Sequence, residues 1–167
     1  MNQQRLLERF LQYVQIDSTA VEESGNYPSS PGQIEIGKLL VEQMKTMGIS
    51  DAVQDQWGIV YGTVKGNLPD APMVAFNSHV DTSPETTGKG VKPNVIKNFD
   101  GQDVHLTGDP TEIISTASGP DLAGAKGKTI ITTDGTTLLG GDDKAGVAII
   151  MELANYLIEH PEIERGD

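Results

Sequence analysis

The chain has no cysteine, which excludes disulfides and thiolate metal ligands and leaves His, Asp, Glu and backbone oxygen as the groups able to hold a metal. Basic residues are scarce: 12 Lys and Arg stand against 24 Asp and Glu, for a net charge of −12. That balance repels phosphate backbones and anionic membranes and suits cations, so nucleic acid and membrane partners are not expected. Long apolar runs are missing too. The N-terminus, MNQQRLLERFLQYVQI, breaks its apolar residues with charges and does not read as a secretory signal. No stretch approaches the roughly 20 apolar residues of a membrane span, and the cytoplasm is the expected compartment.

What is present fits one loop-rich globular domain of 167 residues with 19 glycines and 9 prolines. Leu6, Leu7, Phe10, Leu11 and Val14 recur at helical spacing and predict a first amphipathic helix. After the Ser, Gly and Pro-rich stretch 17–32, Ser30 as N-cap and Pro31 as first helical residue open a second helix. Ile36, Leu39, Leu40 and Met44 form its apolar face, and Gly48 can close it in a left-handed conformation. Residues 52–66 predict two short strands or one bulged strand, broken by Gly58 and Gly62. The continuous apolar run 73–76 predicts a strand covered on both faces, as at the centre of an α/β sheet. Residues 82–124 turn polar, with short strands predicted at 95–96 and 104–106. A strand at 129–132 and a turn at Asp134–Gly135 come next. Val147, Ile150, Met151, Leu153, Ala154 and Leu157 predict a last helix, stopped by Pro161. The alternation argues for an α/β fold, a central mixed sheet flanked by helices.

Two constellations carry chemistry. In FNSHVDTSP, His79 and Asp81 sit just past the end of the apolar run, where open α/β sheets gather functional groups. Their i, i+2 spacing turns both side chains to one side of an extended segment. A neutral imidazole can ligate a metal through one nitrogen while a carboxylate holds the other. A lone His-x-Asp is nevertheless a weak signal, since a histidine at a strand end is usually solvated. In LLGGDDKAGVA, Asp142 and Asp143 follow a glycine pair and precede a helix, a place that equally suits an N-cap or a carboxylate favoured by the helix dipole. A nucleotide loop is excluded, because Gly-x-x-x-x-Gly-Lys-Ser/Thr is absent and two aspartates would repel a phosphate.

Together, SHVDTSP and, about sixty residues later, TTDGTTLLGGDDKAG closely resemble the peptidase T family, tripeptide aminopeptidases among the dinuclear-zinc peptidases, over essentially the whole chain. The resemblance implies an α/β zinc-peptidase (phosphorylase/hydrolase-like) catalytic domain and an enzyme that releases the N-terminal residue from tripeptides. It implies two zinc ions per full-length subunit. His79 corresponds to a ligand of one zinc, Asp142 to the carboxylate bridging both, and Asp81 to the catalytic aspartate that orients the histidine. It also implies that the Asp142–Asp143 peptide bond is cis and that the His79 imidazole and the Asp142 carboxylate are close enough to share one ion, not more than about 7 Å apart. In the family a glutamate pair, a further acidic ligand and a second histidine come later, and a lid domain supplies substrate contacts and dimerisation.

None of these has a counterpart before the terminal EIERGD. Residues 1–167 are therefore expected to be the first part of the catalytic domain, with the lid domain, and the homodimer made through it, lying outside. On its own the chain is expected to be inactive and to bind at most one metal, weakly. The alternatives are a non-enzymatic folded fragment, or a related dinuclear-zinc deacylase or dipeptidase. His105 and His160 are read as non-catalytic, Asp17, Glu22 and Glu23 as solvated, and Trp57 and Tyr61 as packing residues.

Overall fold

The computed structural model describes residues 1–117 and 119–167. Helix α1 spans Gln3–Val14 and starts where the Asn2 side chain accepts hydrogen bonds from the Gln4 and Arg5 N–H groups, each at 3.1 Å. Helix α2 spans Pro31–Thr46, with Ser30 extended ahead of the proline and Gly48 left-handed at φ 95° after it, as the sequence predicts. A one-turn helix α3, Pro120–Ala123, lies in the polar excursion and carries no periodic signal that would predict it. Helix α4, Gly141–Glu159, is regular from Lys144 onward, because Asp142 and Asp143 have non-helical backbone angles.

Helices α1, α2 and α4 share one buried cluster. Phe10, Tyr13 and Val14 meet Ile36 and Leu40 of α2, Val91, and Val147, Ala148 and Met151 of α4. The inward stripe is not wholly apolar. Glu152 is 0% exposed, and its carboxylate accepts from Arg5 Nε at 2.7 Å, Arg9 Nη1 at 3.1 Å and the Asn2 N–H at 2.7 Å. Arg9 also donates to Asn155 Oδ1 at 2.8 Å. Burial pushes the Glu152 carboxyl up, but the bonds from Arg5 and Asn2 and the charges of Arg5 and Arg9 outweigh it and leave it below the usual range. This charged knot ties α1 to α4 across most of the sequence. Hydrophobic periodicity cannot show it, because charged residues score as outward-facing.

Among the described residues the strands form three two-stranded antiparallel ladders: β1 (Val53–Gln54) with β2 (Val60–Tyr61), β3 (Asn94–Ile96) with β6 (Ile130–Thr132), and β4 (Val104–His105) with β5 (Ile113–Ile114). The β1–β2 hairpin lies on α2 at Gly37, where an added Cβ would strike the Gln54 amide and stand 3.1 Å from Val60 Cγ2. The excursion after residue 82 has its own small core of Phe99, Val104 and Leu106, backed by Ile96, Leu122 and Ile130. That core explains how a long polar segment is held.

The α/β class thus stands, while the strands differ from the expected central mixed sheet. Residues 73–76 are not covered: Met73 is 73%, Val74 61% and Phe76 61% exposed. Among the described residues no strand pairs with them, and an apolar run becomes a buried strand only where a neighbour supplies hydrogen bonds and a face. Trp57 and Tyr61, expected to pack, are more than half exposed, with Trp57 edge-on to Tyr27. Among the described residues, no helix is long and apolar enough to cross a membrane.

Glu152→Ala is expected to destabilise the chain by about 3–5 kcal/mol, since it leaves two guanidinium groups without their buried partner. Glu159→Ala, which removes a half-exposed partner of Arg5, should cost no more than about 1 kcal/mol. Denaturant unfolding of both variants measures the difference.

Candidate metal centre

The site forms where the extended segment 78–82 meets the start of α4. Residues 18–20 run beside 80–82 as a parallel bridge, Thr19 opposite Thr82. The Ala20 N–H donates to the Thr82 carbonyl at 2.9 Å, and Ser18 Oγ donates to the Val80 carbonyl at 2.6 Å. From the other side the Ser78 hydroxyl lies 2.8 Å from the Asp143 carbonyl and 2.7 Å from its carboxylate oxygen Oδ2. Asp143 Oδ1 accepts from the Gly146 N–H at 3.1 Å, capping the regular part of α4. One aspartate of the pair is therefore engaged in structure. Its neighbour is open to solvent: the Asp142 side chain is 94% exposed.

Asp142 Oδ1 lies 3.0 Å from His79 Nε2, although the two residues are 63 positions apart. The other imidazole nitrogen, Nδ1, is 3.1 Å from the Asp81 carbonyl oxygen and 3.2 Å from Asp81 Oδ1. The sequence motifs thus meet, with one carboxylate on each ring nitrogen, and the Asp142–Asp143 peptide bond is cis as expected. Burial disfavours the charged imidazole, but the hydrogen bond to Asp142, the Asp81 carbonyl and both carboxylate charges outweigh it and raise the His79 pKa above the ordinary histidine value.

The donor chemistry fits a divalent cation such as zinc. Two ligands at about 2.0–2.2 Å from one tetrahedral ion lie roughly 3.4 Å apart, so His79 Nε2 and Asp142 Oδ1 need only a small separation to admit it. Asp81, already on Nδ1, would keep Nε2 unprotonated and facing the ion. Among the described residues, however, no group of three or more His, Cys, Asp or Glu side chains is placed to hold a metal. His105 is an exposed residue of β4, and His160 caps the end of α4, bonded to Glu162 at 2.8 Å and against the Tyr156 ring.

Sequence reasoning gave no role to Ser78, Ser18 or Lys144. Lys144 is 2% exposed and donates to the Ile16 carbonyl at 2.7 Å, fastening the first turn of α4 to the end of α1. In a single sequence Ser78 and Lys144 are marked only by lying within the motifs, and Ser18 by nothing.

No family model matches the chain. Two of its curated relatives are peptidase T of Bacillus mycoides (strain KBAB4), 48% identical over 164 residues, and peptidase T of Listeria monocytogenes serotype 4a (strain HCC23), 46% identical over 164. The chain is homologous to peptidase T. Each of these alignments covers 98% of the chain and 40% of the peptidase T sequence, so the chain spans well under half the length of its relatives. Among solved structures it superposes on aminopeptidase PepT from Bacillus cereus ATCC 10987 with a TM-score of 0.63 and 27% identity, and on a tripeptidase from Staphylococcus aureus Mu50 with a TM-score of 0.61 and 28% identity. Both superpositions cover 99% of the chain and 35% of the neighbour. By sequence, the chain is 47% identical over 164 residues to peptidase T of Bacillus cereus (strain ATCC 10987 / NRS 248).

Burial lowers the Lys144 pKa from 10.5 to about 8, with Asp17 partly opposing the shift. A pKa depressed by folding contributes stability that is present above the unfolded value and lost as pH falls through the folded one. Stability should therefore rise between pH 8 and about 10, and a Lys144→Met variant should lack that rise. Thermal unfolding across this window checks it.

Proposed function

We propose that this chain is the metal-holding part of a dinuclear-zinc aminopeptidase that releases the N-terminal residue from tripeptides. The observation that carries the proposal is the convergence of His79 Nε2 and Asp142 Oδ1 at 3.0 Å, from motifs far apart in sequence, with Asp81 on the far side of the imidazole. The relatives' names support it, since the curated proteins similar to this chain are peptidase T and the superposed structures are an aminopeptidase and a tripeptidase.

In this reading His79 and Asp142 would hold zinc. The metal, when bound, supplies a Lewis acid that polarises a peptide carbonyl. Asp142 is suited to bridging two cations, because one carboxylate oxygen can face each and its charge offsets their repulsion. Asp81 fixes the histidine's ring orientation and basicity. Ser78 keeps Asp143 engaged, so that Asp142 is the member of the pair that points outward. We assign the protein to the cytoplasm and read residues 1–167 as the first part of the catalytic domain, with dimerisation through a lid domain outside it.

A second reading concerns the 167 residues alone. Two converging donors are one fewer than the three protein ligands of an ordinary catalytic zinc site. We infer that the chain by itself binds at most one ion weakly and does not hydrolyse peptides.

In the full-length protein, His79→Ala should remove zinc from one position and most tripeptide hydrolysis, and Asp81→Ala should lower affinity or turnover by about 10–100-fold. His160→Ala should change neither. Metal analysis and a tripeptide assay on the three variants decide the matter, and equal losses at His79 and His160 would contradict the assignment.

A further inference from the structure

Two aspartates of equal chemistry stand side by side at the start of α4, and only one of them touches His79. Asp143 is half-buried and lines, with Asn77, Ser78 and His79, a groove of about 310 Å³ beside the candidate metal centre. Two features hold its carboxylate in place. The Ser78 hydroxyl, one residue before His79, lies 2.7 Å from Asp143 Oδ2 and 2.8 Å from the Asp143 carbonyl oxygen. On the other side the Gly146 N–H donates to Oδ1 at 3.1 Å. That second bond needs the glycine, because a Cβ at position 146 would overlap Asp143 Oδ1 and stand 2.8 Å from Oδ2. Helix propensity favours alanine over glycine inside a helix, so what the glycine contributes here is room for the folded-back carboxylate. Both oxygens of Asp143 thus face a donor, whereas the Asp142 side chain is 94% exposed and meets His79 Nε2 at 3.0 Å.

We propose that Asp143 is a latent metal ligand, withheld from the ion at His79 by Ser78 and Gly146 acting together, so that Asp142 alone of the pair ligates. The inference rests on the reading of His79 and Asp142 as metal ligands and adds to it what chooses between the two carboxylates. Neighbouring carboxylates on one groove compete for one divalent cation unless one is already engaged. Asp143 is engaged: it must give up its hydrogen bonds before it can coordinate, and bonds to a charged acceptor are among the stronger ones. The choice has a chemical consequence. A catalytic zinc site keeps one coordination position open, and a second aspartate swinging in would close it. Ser78 and Gly146 are therefore positioning residues, which act on the metal through Asp143.

Zinc titration of the 167-residue chain, followed by the His79 ring nitrogen signals in NMR, tests this with a readout that needs no activity and measures weak binding. Asp142→Asn is made in three backgrounds: the unsubstituted chain, Ser78→Ala and Gly146→Ala, with circular dichroism checking each fold. The expected loss of affinity is on the order of tenfold or more in the first and less than about threefold in the other two, where the freed Asp143 takes over, a non-additivity of the size that residues in contact show. Adding Asp143→Asn to the Ser78→Ala, Asp142→Asn protein should restore the full loss. Ser78→Ala and Gly146→Ala alone should bind zinc no more weakly than the unsubstituted chain, whereas a merely structural role would weaken binding in both. If Gly146→Ala does not fold, Ser78→Ala decides alone. Equal losses at Asp142 in every background, weaker binding in Ser78→Ala by itself, or binding undiminished by the added Asp143→Asn would overturn the inference and leave the metal centre standing. No zinc at His79 in the unsubstituted chain, or binding there indifferent to Asp142→Asn, would overturn the metal centre and the inference together.

Discussion

The position of the start of helix α4 governs the rest of the site, and it is set by hydrogen bonds from two directions. Lys144 reaches the Ile16 carbonyl at the end of α1, and Asp143 accepts from Ser78 in the segment that carries His79. Between these anchors Asp142 has non-helical backbone and a side chain open to solvent. The cost of burying an ammonium group at Lys144, visible in its lowered pKa, is accepted at the residue that joins the two elements. The Glu152 knot further along α4 holds the same helix to α1, so the geometry of one exposed carboxylate depends on polar groups buried along a little over two turns of helix.

Much of this was legible in the sequence, for local reasons. Pro31 and Gly48 mark the ends of α2 because each has a backbone preference that acts without neighbours. The stop at Pro161 and the turn at Asp134–Gly135 are of the same kind, with Gly135 at φ 96°. His79, Asp81 and Asp142 stood out only because SHVDTSP and LLGGDDKAG together resemble the peptidase T family; either motif alone is a weak signal. Their meeting in space comes from the fold and not from either motif alone.

What was not legible depends on partners. Glu152, Arg9 and Tyr13 are buried because they satisfy one another or reach a distant side chain, as Tyr13 does with Gln43, and a periodicity count treats the first two as surface. Residues 73–76 read as a covered strand because composition reports a tendency to be covered, not the presence of the cover. The pair Ile113–Ile114 became a strand opposite Val104–His105 within a polar segment, where two residues are too few to show a period. Trp57 and Tyr61 are exposed because the hairpin that carries them packs α2 with its other side.

The central claim is that His79 and Asp142 share one metal ion. Anomalous diffraction at the zinc edge from zinc-soaked crystals of the chain tests it most directly. The account predicts a single, partly occupied peak within about 2.0–2.2 Å of both His79 Nε2 and an Asp142 carboxylate oxygen. Zinc found instead at His105 or between His160 and Glu162, with none at His79, would contradict it.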